Sequence, residues 1–152
     1  MTKKKIKINN NSLIEQFGMK PYKLRVKEKY MSKRQLNHFK KILNSWKGQL
    51  EQEAEKTVNH MQKDSNSLAD PNDRATQESE FGLELRTRDR ERKLIRKIQS
   101  SLIKIDDGTF GYCEETGEQI GLQRLEARPV ASLTLEAQER REITERQFTD
   151  NR

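Results

Sequence analysis

Two long stretches of the chain place apolar side chains at alternating steps of three and four residues, with a polar turn between them. The first stretch carries Leu36, Phe39, Leu43, Trp46, Leu50, Ala54, Thr57 and Met61. The second carries Phe81, Leu85, Ile95, Ile98, Leu102 and Ile105, with Arg88 and Arg92 as polar interruptions. This spacing puts one apolar seam on each of two otherwise polar helices. Because such helices are stable when their seams face each other, the pattern predicts a coiled-coil pair.

Local signals mark where each helix begins and ends. Ser32 precedes the first stretch as a helix N-cap. Asp70 precedes the second as an N-cap, Pro71 takes its first helical position, and Gly108 ends it. At a rise of about 1.5 Å per residue, helices of about 35 residues each extend about 50 Å. The turn between them is short, so we expect antiparallel neighbours with an exposed tip.

The glycine-rich stretch after the hairpin contains one cysteine where a zinc ribbon would need four ligands. Cys113 and Thr116 have the spacing of a CxxC knuckle, and Thr134 and Ala137 repeat that spacing further along the chain. Structural zinc requires four sulfur or nitrogen ligands, so no zinc is expected and packing must replace it. Cys113 is interpreted as a buried remnant of a metal site, with a redox-sensing thiol as the alternative.

The fold prediction is mainly α: a long antiparallel coiled-coil hairpin with a small globular base, which contains a degenerate zinc-ribbon-like segment and a C-terminal helix. Four regions are expected: a basic N-terminal arm that is also part of the base (1–31), the coiled coil (32–107, with its tip near 64–76), the degenerate zinc-finger-like segment (108–132) and the C-terminal helix (133–152). The apolar side chains expected to replace the metal are Phe110, Tyr112, Ile120, Leu122, Leu125 and Leu133.

The composition is too polar for a thick globular core. Hydrophobic residues make up 31% of the chain and charged residues 36%, and the mean hydropathy is −1.12. Long exposed helices tolerate this polarity, whereas disorder is the competing interpretation. No apolar run is long enough to span a membrane and no apolar leader follows the basic first residues, so a cytoplasmic protein is expected. A single cysteine excludes an internal disulfide.

The net charge of +7 is concentrated at the N-terminus, because residues 1–40 hold twelve Lys and Arg but only two acids. Either this basic arm only keeps the chain soluble, or it steers the chain toward a polyanionic or acidic partner. A second basic run at residues 85–93 is either a solvated helix face or a phosphate-binding surface. No helix-turn-helix pattern accompanies these charges, so direct sequence-specific DNA binding is not expected.

No enzymatic activity is expected. His38 and His60 lie on the same predicted helix about 33 Å apart, and no P-loop, GxGxxG, GxSxG or HExxH pattern occurs. Helix capping is a sufficient explanation of Asp70 and Asp73. A carboxylate pair at the end of a long arm could also contact a metal, a basic loop or a nucleotide site.

Several segments resemble, in order and spacing, the DksA family of bacterial transcription factors. The matching segments are Pro21-Tyr22, Tyr30-Met31, Asp70–Glu78, Leu83–Ile95, Phe110–Cys113 and Arg124–Pro129, and the resemblance covers roughly residues 20–148. It implies a monomeric factor that binds RNA polymerase, not promoter DNA, and inserts its coiled coil into the secondary channel. Together with ppGpp, as in the stringent response, such factors destabilise open complexes at ribosomal RNA promoters and activate some biosynthetic promoters.

The resemblance also implies roles for residues at matching positions. The tip residues expected to act near the polymerase active centre are Asp70, Asp73 and Ala75. The residues expected to contribute to a shared ppGpp site are Leu94, Lys97 and Arg128. Gln138 departs from a basic residue of that site, and the ribbon departs from the four-cysteine pattern. The chain therefore resembles the cysteine-poor members that keep the fold without zinc.

Two other functions stay open at this point. A transcript-cleavage factor of the Gre type is also a coiled coil, and it uses tip carboxylates to recruit Mg²⁺. A scaffold or single-strand nucleic-acid binder would rely on the basic arm and would bind with a steep salt dependence. Neither alternative explains the motifs of the base, which match the DksA family.

Overall fold

The computed structural model of the chain describes residues 13–64 and 70–150. Within these residues the architecture is helical, and the one extended pairing is an isolated bridge between Tyr112 and Gln119. The helices are α1 (Leu13–Gln16), α2 (Lys33–Asp64), α3 (Pro71–Asp107), α4 (Leu122–Ala127) and α5 (Leu135–Asp150). The predicted mainly α fold is confirmed, although the sequence pattern did not predict α4. None of the described helices combines the length and apolarity that crossing a membrane requires.

The chain divides into two compact units. The first unit combines residues 1–42 with residues 111–152, and the second is residues 43–110. Helix α2 begins in the first unit and continues into the second, which also contains α3. Helices α1, α4 and α5 belong to the first unit together with the glycine-rich segment that surrounds the single cysteine.

Side-chain caps and a glycine fix the ends of the long helices. The Ser32 hydroxyl accepts a hydrogen bond from the backbone amide of Gln35 at 3.3 Å, and the Asp70 carboxylate accepts one from the backbone amide of Asn72 at 3.0 Å. These bonds satisfy amides that the first turn of a helix leaves without a partner. Helix α3 ends at Gly108, whose φ of 77° lies in the left-handed region that favours glycine. All three predicted end signals are therefore confirmed.

In the second unit, α2 and α3 pair as the antiparallel hairpin that the apolar seams predict. The seam buries Leu43, Leu50, Thr57, Ile98 and Ile105. The prediction that Leu85 belongs to the seam is wrong, because this side chain is 55% exposed. The seam continues instead through the less exposed Glu84 and Arg88, and Arg88 forms an ion pair across the helices with Glu53 at 3.8 Å.

The first unit has a small core of its own, in which α1 packs against α4. Its buried apolar side chains are Ile14, Phe39, Ile42, Cys113, Ile120, Leu125, Leu133 and Ala137. Among the side chains expected to replace a metal, Phe110, Ile120, Leu125 and Leu133 are buried as predicted, and Leu122 is half-buried. Tyr112 differs from its prediction, because it is 37% exposed and presents a ring edge to Tyr30.

Candidate functional site

The tip acids lie at the N-terminus of α3. Asp70 is the N-cap, and its carboxylate is engaged by the Asn72 amide. Asp73 lies in the first turn, is exposed, and forms no hydrogen bond or ion pair with any residue that the structure describes. Ala75 follows two positions later and is also exposed. The positive end of the helix dipole favours both carboxylates, and Asp73 is the one that remains available to a partner.

The four degenerate ribbon positions converge in the first unit. The Thr134 hydroxyl lies 3.9 Å from the Cys113 sulfur and donates to it. The same hydroxyl oxygen accepts a hydrogen bond from the Ala137 amide at 3.3 Å, which is the bond of a helix N-cap at the start of α5. The Thr116 hydroxyl also bonds the Cys113 sulfur. The knuckle therefore keeps the arrangement of a ligand cluster, although three of its four positions carry no thiol.

The Cys113 thiol is buried, yet its surroundings favour the thiolate. Burial is the largest single influence and raises its pKa. Hydrogen bonds from the Thr116 hydroxyl and from the amides of Thr134, Thr116 and Glu115 together outweigh burial and lower the pKa to about 6. These donors stabilise negative charge on sulfur, as they would in a metal-bound thiolate.

The residues present do not fit a structural zinc ion. Cys113 offers one thiolate, the hydroxyls of Thr116 and Thr134 are poor ligands for zinc, and Ala137 offers no ligand. Across residues 13–64 and 70–150, no group of three His, Cys, Asp or Glu side chains is placed to hold a metal ion. Ala137 is fully buried and Cys113 is 4% exposed, so these positions are shielded from solvent.

Tyr30 is a structural link that the apolar periodicity did not reveal. Its hydroxyl donates to the Gly111 carbonyl at 2.8 Å and accepts from the Gly121 amide at 3.0 Å. Burial raises the pKa of this phenol, so the hydroxyl stays protonated and can donate. Gly111 has a φ of 90°, and a Cβ there would lie 2.9 Å from the Met31 side chain. The matching pair Tyr30-Met31 was the only sequence signal of this contact.

The residues implied for ppGpp lie on several elements. Leu94 and Lys97 lie about one turn apart on α3, in the second unit. Arg128 follows α4 in the first unit, is exposed, and has no side-chain partner among the described residues. Gln138 donates to Glu142 on its own helix at 2.9 Å. Lys97 and Arg128 can therefore offer charge to phosphates, whereas Gln138 cannot.

These features define a class of protein, a paired-helix hairpin followed by a zinc-ribbon-like segment that lacks three of its four ligands. Residues 35–105 match the family described as DnaK suppressor protein DksA, N-terminal domain. Residues 108–142 match the prokaryotic dksA/traR C4-type zinc finger. The second match spans the degenerate knuckle, so residues around the ligand positions fit the family although three of the four cysteines are replaced.

Comparison with known proteins leads to the same class. The RNA polymerase-binding transcription factor DksA of Haemophilus influenzae is 52% identical over 136 residues, which are 90% of this chain and 94% of the relative. Its counterpart in Escherichia coli is 49% identical over 142 residues, 93% of this chain and 94% of that protein. The structure of transcription factor DksA2 from Pseudomonas aeruginosa superimposes with a TM-score of 0.71 at 38% identity, covering 77% of this chain and 90% of that one. The chain belongs to the DksA family, and the resemblance inferred from its motifs is confirmed.

Proposed function

We propose that this chain regulates transcription by binding RNA polymerase through the secondary channel. Its relatives are named RNA polymerase-binding transcription factors, which supports the partner. Helix α3 has 37 residues and therefore extends about 55 Å, a length suited to a probe that reaches into a channel. In this proposal the factor acts as a monomer in the cytoplasm, has no enzymatic activity of its own and needs no zinc.

The observation that carries the proposal is the free carboxylate of Asp73. Asp70 already serves the helix as its cap, whereas Asp73 has no partner among the described residues. A charge held on a rigid helix end can be presented to a partner without further ordering. In the proposed complex, Asp73 acts at the polymerase active centre together with Asp70 and Ala75, and the result is a shorter lifetime of the open promoter complex.

The proposal includes ppGpp as an effector bound between the factor and the polymerase. Lys97 and Arg128 would contact its phosphates, and Leu94 would pack beside them. Gln138 carries no charge, so the site has one cation fewer than the family pattern. We therefore expect weaker ppGpp binding than in relatives with a basic residue at this position, with the response itself retained.

The direct test measures open-complex lifetime at a ribosomal RNA promoter with purified polymerase. The wild-type chain should shorten this lifetime, and ppGpp should shorten it further. An unchanged lifetime in both conditions would contradict the proposed function. The same reactions can be followed at biosynthetic promoters, some of which the factor should activate together with ppGpp.

A single substitution separates the role of the tip from binding. Asp73→Asn removes the free carboxylate and leaves the Asp70 cap in place, so this variant should bind polymerase normally and fail to shorten the open-complex lifetime. Asp107→Asn makes the same change at an exposed position at the other end of α3 and should act like the wild type. If Asp73→Asn shortens the lifetime as well as the control does, the tip mechanism is wrong.

The paired tip carboxylates also allow a transcript-cleavage factor that recruits Mg²⁺. Stimulated cleavage of backtracked RNA by the wild-type chain, lost in Asp73→Asn, would support that alternative. We expect no cleavage, because the relatives are named RNA polymerase-binding transcription factors and the base matches the dksA/traR family.

A further inference from the structure

A basic loop, residues 20–29, precedes α2 in the first unit and has no role in the function proposed above. Its cationic side chains are exposed, and within the described part of the chain none of them forms an ion pair: Lys20, Lys23, Arg25, Lys27 and Lys29. Two aliphatic side chains alternate with these cations, and Val26 is 94% and Leu24 63% exposed. The loop thus presents a compact surface of free positive charge and apolar area.

Hydrogen bonds within the loop, and contacts from Ser32 and Arg34 just after it, hold the loop in place. The Glu28 carboxylate accepts hydrogen bonds from the hydroxyls of Tyr22 and Ser32 and from the Arg25 amide at 3.0 Å. The Tyr22 hydroxyl is the main cause that lowers the pKa of Glu28 to about 2, so this acid is ionised and fully engaged. The Arg34 guanidinium stacks on the Tyr22 ring at 4.8 Å. An ordered loop loses little conformational freedom when a partner binds.

A groove of about 800 Å³ opens beside the basic loop. Leu24 of the loop forms part of its wall, and the other apolar walls are Ile120, Leu122, Ala127 and Leu135. Leu135, at the start of α5, is 58% exposed. The aliphatic walls suit a large apolar side chain. Because Leu24 belongs to both features, the groove and the cations form one continuous surface.

The charge of this surface selects an acidic occupant. The loop has five cations and one acid, and the ionised carboxylate of that acid, Glu28, is paired with Arg34 and held by hydrogen bonds, so the net positive charge of the loop attracts an approaching carboxylate. The groove adds apolar area that an acidic segment could fill with one large side chain. The chemistry of the complementary partner is therefore a protein segment in which acidic residues flank an exposed apolar residue.

Two other occupants fit this surface less well. Nucleic acid would bind the cations through its phosphates, but it favours stacking on aromatic rings, and the loop's Tyr22 is already covered by Arg34. Residues 1–12 of the chain itself contain four lysines and no acid, so they would be repelled by the loop. An acidic protein surface satisfies both the charge and the apolar walls.

We infer that the basic loop and its groove form a second docking surface, which binds an acidic, apolar-anchored segment on the outer face of RNA polymerase. This inference rests on the proposed function, since it takes the same partner. The hairpin tip then acts at the active centre, while the basic loop holds the first unit to the polymerase surface. Loss of the loop should weaken binding without abolishing the action of a bound factor.

The test compares affinities of full-length variants for purified polymerase at low and high salt. Lys23→Gln/Lys27→Asn/Lys29→Gln removes three charges, and Asn is chosen because Lys27 has a φ of 61°, which Asn tolerates. This variant should bind about tenfold more weakly at low salt and show a flatter salt dependence. Its matched control, Lys41→Gln/Arg140→Gln/Arg146→Gln, removes the same charge from exposed positions elsewhere and should bind like the wild type.

A second variant tests the groove. Leu24→Gln/Leu135→Gln should weaken polymerase binding about tenfold at both salt concentrations, because it removes apolar contacts and no charge. At saturating concentration, both loop and groove variants should still shorten open-complex lifetime, since Asp73 is unchanged. Thermal melting of each variant checks whether the exposed substitutions leave the fold intact.

Several results would overturn the inference. If the wild type binds polymerase and both variants bind equally well, the docking surface is wrong while the proposed function stands. If the wild type itself does not bind, both fail. If the charge variant loses only binding to a mixed-sequence single-stranded DNA, the surface is for nucleic acid. A last outcome concerns the variant Ile6→Gln/Ile8→Gln. If it lowers the melting temperature as much as the groove variant does, and if combining the two variants lowers it no further, the chain's own N-terminal segment fills the groove.

Discussion

At the scale of single residues, Thr134 combines two roles in the knuckle. Its hydroxyl oxygen accepts the Ala137 amide and so caps α5, while its hydroxyl proton is donated to the Cys113 sulfur at 3.9 Å. A cysteine at this position could bind a metal but would cap a helix poorly. The threonine therefore replaces a metal bond with a hydrogen bond that also fixes the helix start, which explains how the knuckle keeps its shape.

The first prediction concerns the Cys113 thiolate. Thr116→Val removes a hydroxyl that bonds the sulfur and should raise the thiol pKa from its value of about 6, because burial then has less opposition. The pKa can be measured by titrating thiolate absorbance, with Thr144→Val on α5 as a control for the substitution itself. An unchanged pKa in Thr116→Val would contradict the role given to this hydroxyl.

The lowered pKa of Cys113 also makes the stability of the fold depend on pH. The folded pKa of Cys113, about 6, lies below the ordinary value of 9.0, so the folded state binds fewer protons than the unfolded state between these values. The thiolate therefore contributes stability that is fully present above about pH 9 and is lost as the pH falls through 6. Cys113→Ala should flatten this part of the stability profile.

At the scale of helices, the hairpin seam changes character toward the tip. Arg88 forms ion pairs with Glu53 on α2 at 3.8 Å and with the neighbouring Glu91. Glu84 adds a third carboxylate, one of whose oxygens is buried without a hydrogen bond. The Arg88 guanidinium thus pairs with two acids, Glu53 and Glu91, in a half-buried layer, where an unpaired charge is costly.

The second prediction tests this polar layer. Arg88→Met should destabilise the hairpin by about 1–3 kcal/mol, because the carboxylates of Glu53 and Glu91 lose their shared counter-charge. Urea unfolding measures the change. Arg92→Met, at an exposed pair with Asp89, should change stability by less than about 0.5 kcal/mol. The loss of stability in Arg88→Met should shrink when Glu53→Gln and Glu91→Gln are added, because these two carboxylates are the partners of Arg88. Equal losses of stability in Arg88→Met and Arg92→Met would contradict a stabilising role for the polar layer.

The seam also shows where inference from sequence succeeds and where it fails. The caps at Ser32 and Asp70 depend on bonds within three residues, so local pattern predicted them correctly. A step of three residues from Phe81 reaches Glu84 and a step of four reaches Leu85, and both steps fit a helical repeat. The prediction placed the apolar Leu85 in the seam, but this side chain is exposed. Tyr30 bonds residues about eighty and ninety positions away, and no periodicity can reveal such a contact.

At the scale of the whole molecule, the ligand positions of the zinc ribbon are where this chain departs from its family. The match to a C4-type zinc finger covers residues 108–142, yet three of the four ligand positions carry other residues. In a zinc-dependent ribbon, the metal contributes much of the folding free energy. Here that contribution must come from the side chains buried around Cys113 and from the hydrogen bonds to its sulfur.

The last prediction follows from this replacement. Protein purified without chelators should contain far less than one zinc per chain, and a chelator should leave its melting temperature unchanged. The variant Thr116→Cys/Thr134→Cys/Ala137→Cys should bind one zinc per chain and become sensitive to chelator. The separation of 3.9 Å between Thr134 Oγ1 and Cys113 Sγ supports this outcome, because two sulfurs on a tetrahedral zinc, each about 2.3 Å from it, lie about 3.8 Å apart.

Without metal, the triple-cysteine variant should be less stable than the wild type. It loses the Thr134 cap, which alone is worth about 1 kcal/mol, and it must fit a larger side chain at the fully buried Ala137. Cys113→Ser in the same background removes the fourth ligand and should abolish tight zinc binding. The zinc content of each variant, and its melting temperature with and without chelator, test these expectations. If the triple variant binds no zinc, the knuckle has lost the geometry of a ligand cluster as well as its thiols.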